Sequence, residues 1–486
     1  MPKLVLLWTD IAIWLLVASL AGYAFYAARQ ANLAATWRKV FTDPAALASS
    51  VVLGACLLLT LADSVHFRSL LPPAPGAPSA VPAYDVRVRS LLDVVLSDLV
   101  DSRESTYSLP LAYVGFTKES QDVGGKVERV APRLVHGGAH LTDPGAQWAA
   151  DVARRIGTGL VTGIVAAIAA CALVVALLPG HDGAGFGARA GAIWRRETPI
   201  PWRVAGFTLV GLFALGGLVA ALMGYYHPFG TDVTGNDVLY QTLKSIRTAF
   251  VIGTLATLAT LPFAVVLGIM AGYLKGWADE AIQYVYTLLS SIPNILLIAA
   301  CVLMVQVFLD KHQDMFETGV ERADVKLFLL CVVLGVTGWP GLCRLLRGET
   351  LKLRELEYVQ AANAFGVSSA RIMVRHIFPN VAHLMLIVTV LEFSALILYE
   401  AVLSYVGVGV DPSMNSFGGM INFSRNEMSR DPIIWWPFAA AFTFMVALVL
   451  AANLFADGVR DAFDPRSRAF RPRTAAKKAA GEGAHA

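Results

Sequence analysis

The chain has 486 residues, 56% of them hydrophobic and only 15% charged, with a mean hydropathy of +0.58. Soluble domains average about 25% charged residues, so a wholly soluble protein is excluded. The net charge of +3 is too small to specify a partner.

Nine segments reach the roughly 20 apolar residues that cross about 30 Å of hydrocarbon as helix: 4–26, 46–67, 156–178, 204–226, 249–273, 284–308, 327–346, 383–406 and 433–455. They predict an all-α polytopic membrane protein with its termini on opposite sides. The first segment follows Met1-Pro2-Lys3 without a small-residue cleavage site, so it is expected to be retained. Asp10 and Asp63 lie near helix ends and are expected to be solvated. The only long polar stretch, about 68–151, opens with the stiff Leu71-Pro72-Pro73-Ala74-Pro75-Gly76 and carries a helical pattern over 90–100. It reads as a small, partly ordered insert. Residues 183–187 are glycine-rich but follow a membrane helix rather than a strand, so they read as a loop.

Cations set the orientation. Arg29, Arg38 and Lys39, then Arg189, Arg195, Arg196 and Arg203, fall in loops assigned to the cytoplasm, as does the tail with Arg466, Arg468, Arg471, Arg473, Lys477 and Lys478. That tail reads as a positive-inside terminus beside membrane lipids rather than a nucleic-acid site. The N-terminus is then periplasmic and the C-terminus cytoplasmic. Arg154 and Arg155, at an outer helix end, run against this assignment. The five cysteines, Cys56, Cys171, Cys301, Cys331 and Cys343, lie in or beside apolar segments without a CxxC pair, and suggest neither metal nor disulfide.

The polar interlude 354–380 separates two apolar segments. Its runs 356–365 and 368–378 are good helix formers, Gly366 frees the backbone for a turn, Ser368 suits an N-cap, and Pro379 is expected to stop the second helix. Ala361, Ala362 and Ala364 leave a slim ridge suited to another protein's groove. An amphipathic linker resting on the membrane through Arg371, Arg375 and His376 is the other reading.

Glu392 and Glu400, eight residues apart, share one broad helix face. A carboxylate at mid-bilayer costs roughly 2.5–3.5 kcal/mol on insertion scales, so Glu400 should meet other helices or a wet path. Glu392 is read as an interhelical anchor. Pro262, Pro293 and Pro340 offer hinges; Gly335, Gly338 and Gly341 around Pro340 are read as close-packing positions. Gly230, Thr231, Asp232, Gly235 and Asp237 form an outer loop without EF-hand spacing, read as a rigid turn docking the next helix. No GxxxxGK[ST], HExxH or GxSxG is present, so no catalytic residue and no metal ligand is assigned.

Tyr358-Val359-Gln360-Ala361-Ala362, Gly366 and Ile377-Phe378-Pro379-Asn380 resemble the EAA loop of ABC importer permeases, with Gln360 at the usual glutamate and Phe378 at the usual leucine. The stretches 227–238 (HPFGTDVTGNDV), 400–409 (EAVLSYVGVG) and 457–465 (DGVRDAFDP) are similar to motifs of the dipeptide, oligopeptide and nickel importers, second permease of the pair. The resemblance spans about 202–466. It implies a six-helix type I permease core (202–465), preceded by an extension (1–201) of three helices and the insert, and followed by the basic tail (466–486). It further implies a heterodimer with a homologous permease, two ABC ATPases that bind ATP and magnesium, and a periplasmic solute-binding protein, with no cofactor in this chain. Glu357, Gln360, Ala361, Ala362, Gly366, Arg371 and Pro379 would couple to the ATPases; Glu400, Ser404 and Tyr405 would lie by the pathway or subunit interface. A gradient-driven secondary transporter and a scaffold or sensor reading signals through the insert are the alternatives.

Overall fold

The structure is a computed structural model and describes residues 2–71, 84–123, 126–177 and 185–463. The proline-rich opening of the insert beyond Leu71, part of the glycine-rich loop, the end of the 457–465 motif and the basic tail lie outside the described residues.

The extension begins with β1 (Lys3–Val5) and α1 (Trp8–Arg29), turns through α2 (Ala31–Val40) and returns along α3 (Pro44–Asp63). Asp43 caps α3 by accepting the Ala46 N–H at 2.9 Å, and Pro44 occupies the first turn, where its missing N–H leaves no bond unmade. In the insert, β2 (His66–Leu70) pairs antiparallel with both β1 and β3 (Tyr84–Ser90). Ser90 and Asp93 form a capping box that starts α4 (Leu91–Val95), and α5 (Ser97–Asp101) follows. A second hairpin, β4 (Glu119–Val123) and β5 (Lys126–Val130), precedes the long α6 (Pro144–Leu177) and α7 (Phe186–Trp194).

The remaining elements are α8 (Trp202–Leu222), α9 (Val238–Leu274), α10 (Trp277–Ser291), α11 (Asn294–Lys311), α12 (Gly319–Gly338), α13 (Pro340–Arg354), α14 (Glu357–Ala364), α15 (Ser369–Ile372), a π-helical turn over Met373–Ile377, α16 (Phe378–Val406), α17 (Phe417–Glu427) and α18 (Trp436–Phe463). Among the described residues α1, α3, α6, α8, α9, α11, the continuous run Ser369–Val406 and α18 are each long and apolar enough to span a membrane, and α12 with α13 makes a ninth span bent by 41°. The expected nine are therefore present, with changed boundaries. The segment 284–308 divides at Ile292-Pro293, and α10 is a separate amphipathic helix. Proline cannot continue the hydrogen-bond ladder there. At Pro340 the chain both bends and packs: a Cβ on Gly335 would strike Ala259 and Thr260 of α9, whereas Gly341 faces open space. Pro262 sits inside α9 without breaking it.

The core forms around α9, 56% of whose apolar window is buried against 0% for α8. Helices α3, α10, α12, α13 and α16 pack on it, while α8 packs chiefly on α6 and α3. Helices α6 and α8 touch backbone to backbone. A Cβ on Gly159 would come within 2.6 Å of the Gly217 carbonyl, and one on Gly163 within 2.9 Å of Ala214 Cα. Only glycine permits this approach.

Asp10 and Asp63 are buried, not solvated. Arg247 of α9 donates to Asp10 Oδ1 (2.6 Å), Thr9 Oγ1 (2.9 Å) and Ser64 Oγ (3.2 Å); Asp10 also meets His66 Nδ1 at 2.7 Å, and Asp324 of α12 accepts from the Thr9 N–H at 3.1 Å. One turn away, Lys244 bridges Asp93 (2.8 Å) and Asp63 (3.3 Å), and Tyr240 donates to Asp93. Tyr240, Lys244 and Arg247 share one face of α9, and that stripe fastens the extension to the helical core. Arg154 and Arg155 are likewise held, by Asp151 at 2.6 and 2.7 Å.

Candidate functional site

Two regions at opposite ends of α16 gather the residues singled out by sequence. The first is the helical element between α13 and α16. Val359, Ile372, Ile377 and Val381 are buried in a cluster with Ile269 and Tyr273 of α9 and Leu342 and Leu346 of α13. The opposite side is open: Glu357, Gln360, Ala361, Phe365 (87% exposed), Gly366 and Arg371 face outward, and Ala362 is half-buried. Gly366 adopts φ +77° with nothing within 4 Å of a Cβ position, so backbone conformation, not crowding, demands glycine there. Gln360 donates to the Glu355 carbonyl at 3.1 Å. Arg347 of α13 makes a bidentate pair with Asp279 of α10 at 2.7 and 2.8 Å, and Lys275 meets Glu355 at 3.3 Å.

Ser368 holds the N-cap position without a side-chain cap bond. Pro379 does not stop the helix. The wider π turn over Met373–Ile377 precedes it, and helix continues from Ser369 to Val406. Such a turn loosens the ladder where proline would otherwise clash. From Ser369 onward the element is therefore continuous with a membrane helix, while the turn at 365–368 sets α14 apart from it.

At the far end of α16, Glu400 is 1% exposed and accepts a 2.6 Å hydrogen bond from Ser404 Oγ. Helix α17 seals it: a Cβ on Gly418 would lie 2.7 Å from Ala401 Cα, and Gly409 abuts Ser404. Glu400 is thus an interior anchor in this arrangement. Glu392, read as an anchor, is instead exposed and makes no bond to a described residue. Tyr405 is 44% exposed, with the Arg425 guanidinium 5.1 Å from its ring centre.

The loop 230–237 packs against the insert, with Thr231, Gly235 and Asp237 buried and Val233 and Thr234 exposed. Asp237 caps α9 through the Tyr240 N–H. Asp232 accepts from the N–H groups of Thr234 (2.8 Å) and Asn236 (2.9 Å). Thr231 Oγ1 donates to the Thr106 carbonyl at 2.8 Å, and Trp436 Nε1 of α18 donates to the Thr231 carbonyl at 3.0 Å. Gly230 (φ +70°) and Gly235 (φ +75°) press on the Ser108 and Glu104 backbone. His227 meets Asp237 at 2.8 Å and Glu104 of the insert at 3.5 Å, all buried. Burial would lower the imidazole, but the two carboxylates prevail and hold it up at about 9. Burial would raise Glu104, yet His227 and the N–H groups of residues 135–137 bring it down to about 2. The sequence marked the loop but gave no sign of Glu104, which lies 123 positions before its partner.

Between this loop, the α16–α17 connection and α17 lies a cavity of about 700 Å³, with Tyr107 of the insert, Asp232, Gln241, Ser404, Asn422 and Arg425 among its walls. Among the described residues no cluster of three or more metal-ligating side chains occurs.

A family described as "Binding-protein-dependent transport system inner membrane component" matches residues 264–469. The oligopeptide transport system permease protein OppC of Mycobacterium tuberculosis strain H37Rv is 34% identical over 248 residues, 51% of this chain and 79% of that protein. OppC of Haemophilus influenzae is 32% identical over 249 residues, 51% and 73% of the two chains. The chain belongs to the binding-protein-dependent ABC importer permeases. The glutathione transport system permease protein GsiD of Pectobacterium atrosepticum is also similar, 32% identical over 241 residues, 49% of this chain and 73% of that one. An inward-facing structure of the MetNI methionine ABC transporter aligns with 47% of this chain and 96% of its own at 18% identity and a TM-score of 0.35. As a permease the chain is a multi-pass inner-membrane transport subunit, not a catalyst, and works with ATPase subunits and a binding protein.

Proposed function

We propose that this chain forms half of the pathway of a peptide importer, with the element 357–379 as its contact to the ATPases. The observation that carries this reading is the two-sidedness of that element. Its apolar side is locked to α9 and α13, its slim side is open, and its second helix, from Ser369, runs unbroken into α16. A force on Ala361, Phe365 and Gly366 would reach the far end of α16 as rigid-body motion. Glu357, Gln360, Ala362 and Arg371 belong to the same contact, and Pro379 to its junction with α16. Short peptides are the solute class, since the permeases to which about half of its length is roughly one-third identical are named for oligopeptides and glutathione.

In this reading residues 202–465 are the permease proper and 1–201 an extension. The insert faces the periplasm, the N-terminus lies there and the C-terminus in the cytoplasm. A homologous permease completes the pathway, and two ATPases bind ATP and magnesium. The test is affinity purification from native membranes. Wild type should bring down a sister permease and ATPases, and Gly366→Pro should lose the ATPases alone. Wild type that retains no ATPase under mild detergent would refute the reading.

A further inference from the structure

We infer that Glu392 faces the water-filled solute path near the middle of the membrane and receives a cationic group of the passing solute. This rests on the importer reading above and adds a residue and a chemistry to it.

Glu392 is the fifteenth of the 29 residues of α16. At 1.5 Å per residue it lies roughly 20 Å from Val406 and farther still from Ser369, where the continuous helix begins, too far for its short stem to reach the headgroups. The carboxylates Asp10, Asp63, Asp324 and Glu400 are each buried against a donor. Glu392 is exposed and has no hydrogen bond or ion pair among the described residues.

Leu391 (37% exposed), Leu398 (45%), Val402 (42%) and Tyr405 (44%) recur at helical spacing and make one uncovered stripe on α16. Glu392 is exposed to one side of it, about 100° round the helix from Leu391. Were that side turned to lipid, a carboxylate would stand in hydrocarbon with nothing to neutralise or hydrate it. Intramembrane carboxylates survive where they meet water or a partner charge. The stripe ends at Tyr405, beside Arg425 and the 700 Å³ cavity, so that cavity and the mid-membrane carboxylate lie along the same helix. A carboxylate so placed takes ammonium or guanidinium groups, as a peptide's amino terminus or a lysine or arginine side chain supplies.

The experiment uses the assembled transporter with its binding protein in proteoliposomes. ATP-dependent uptake of Ala-Lys-Ala and Ala-Glu-Ala is compared for wild type and Glu392→Gln. The binding protein is common to both, so its own selectivity cancels. The lysine-to-glutamate uptake ratio should fall about tenfold in the variant, the size of one charge-assisted contact. In parallel, Glu392→Cys with the five native cysteines replaced should react with a membrane-impermeant cationic thiosulfonate, in the nucleotide-free or the vanadate-trapped state, and lose uptake. An unchanged ratio, or a cysteine unreactive in both states, overturns the inference. So does loss of the sister permease from purified Glu392→Gln, which would set a basic residue of that subunit against Glu392. If wild type transports neither peptide, the peptide reading fails and with it the cationic-group assignment, while the labelling still decides whether Glu392 faces water.

Discussion

At Gly366 the requirement is purely one of backbone conformation. A methyl group would meet no atom within 4 Å, but alanine must hold φ +77°, at about 1 kcal/mol. Gly366→Ala should therefore keep its ATPases and lose at most several-fold in coupled uptake. Gly366→Pro, locked near φ −65°, cannot make the turn and should lose the ATPases. Arg247 is the opposite case, a fully enclosed side chain. Arg247→Met removes the guanidinium that lies 2.6 Å from Asp10 and 3.8 Å from Asp324, leaving His66 as the remaining partner of Asp10, which should cost about 3–5 kcal/mol and show as a lowered Tm in detergent. Both glutamates of α16 were visible in the sequence, and so was their shared face. Their fates were not, because α17 covers Glu400 through Gly418 and leaves Glu392 bare. Asp10 and Asp63 misled for a similar reason. Position near a helix end says nothing of Arg247 and Lys244, which lie some 180 to 240 residues along the chain.

Helix existence was legible because run length against membrane thickness is a strong constraint; helix junctions were not. Pro293 separates two helices, Pro340 marks a bend, and Pro379 does neither. The difference at Pro379 is the π turn before it, which depends on Ile372 and Ile377 being seated against α9 and α13. The crossing of α6 and α8 is a sharper element-scale test. Gly163→Leu would drive a branched side chain into the Phe213–Ala214 backbone. Overpacking costs typically 1–3 kcal/mol, and here backbone, which cannot change rotamer, must move. The pair should separate, and a cysteine pair engineered across the crossing should cross-link in wild type but poorly in the variant. Since α8 has few contacts with the core beyond α3, this lesion should leave the α9–α18 packing intact.

On the scale of the whole molecule, the N-terminal elements through the insert and the helices from α9 onward are joined by charge as well as by apolar contact. The joint on the insert side is Glu104, His227 and Asp237, which are sealed from water. The sequence displayed the HPFGTD motif as a turn, but a turn motif alone does not disclose that an insert carboxylate closes on its histidine. The titration of this cluster sets a pH window. His227 rises from 6.5 to about 9 on folding, so its contribution is complete below pH 6.5 and is lost as pH climbs through 9. Glu104 falls from 4.5 to about 2, so its contribution is complete above pH 4.5 and is lost as pH falls through 2. The attachment of the insert should therefore be firmest between about pH 4.5 and 6.5 and should weaken steadily from pH 6.5 toward 9. Limited proteolysis of the purified complex across that range would read it. Cleavage within residues 102–137 should accelerate with pH in wild type. In His227→Gln it should be fast already at pH 6 and nearly independent of pH, because the group that titrates in the alkaline limb is gone. A wild-type cleavage rate that stays flat from pH 6 to 9 would mean that apolar contacts such as Phe116 on Trp436, whose rings lie 5.0 Å apart, hold the insert without the charge cluster.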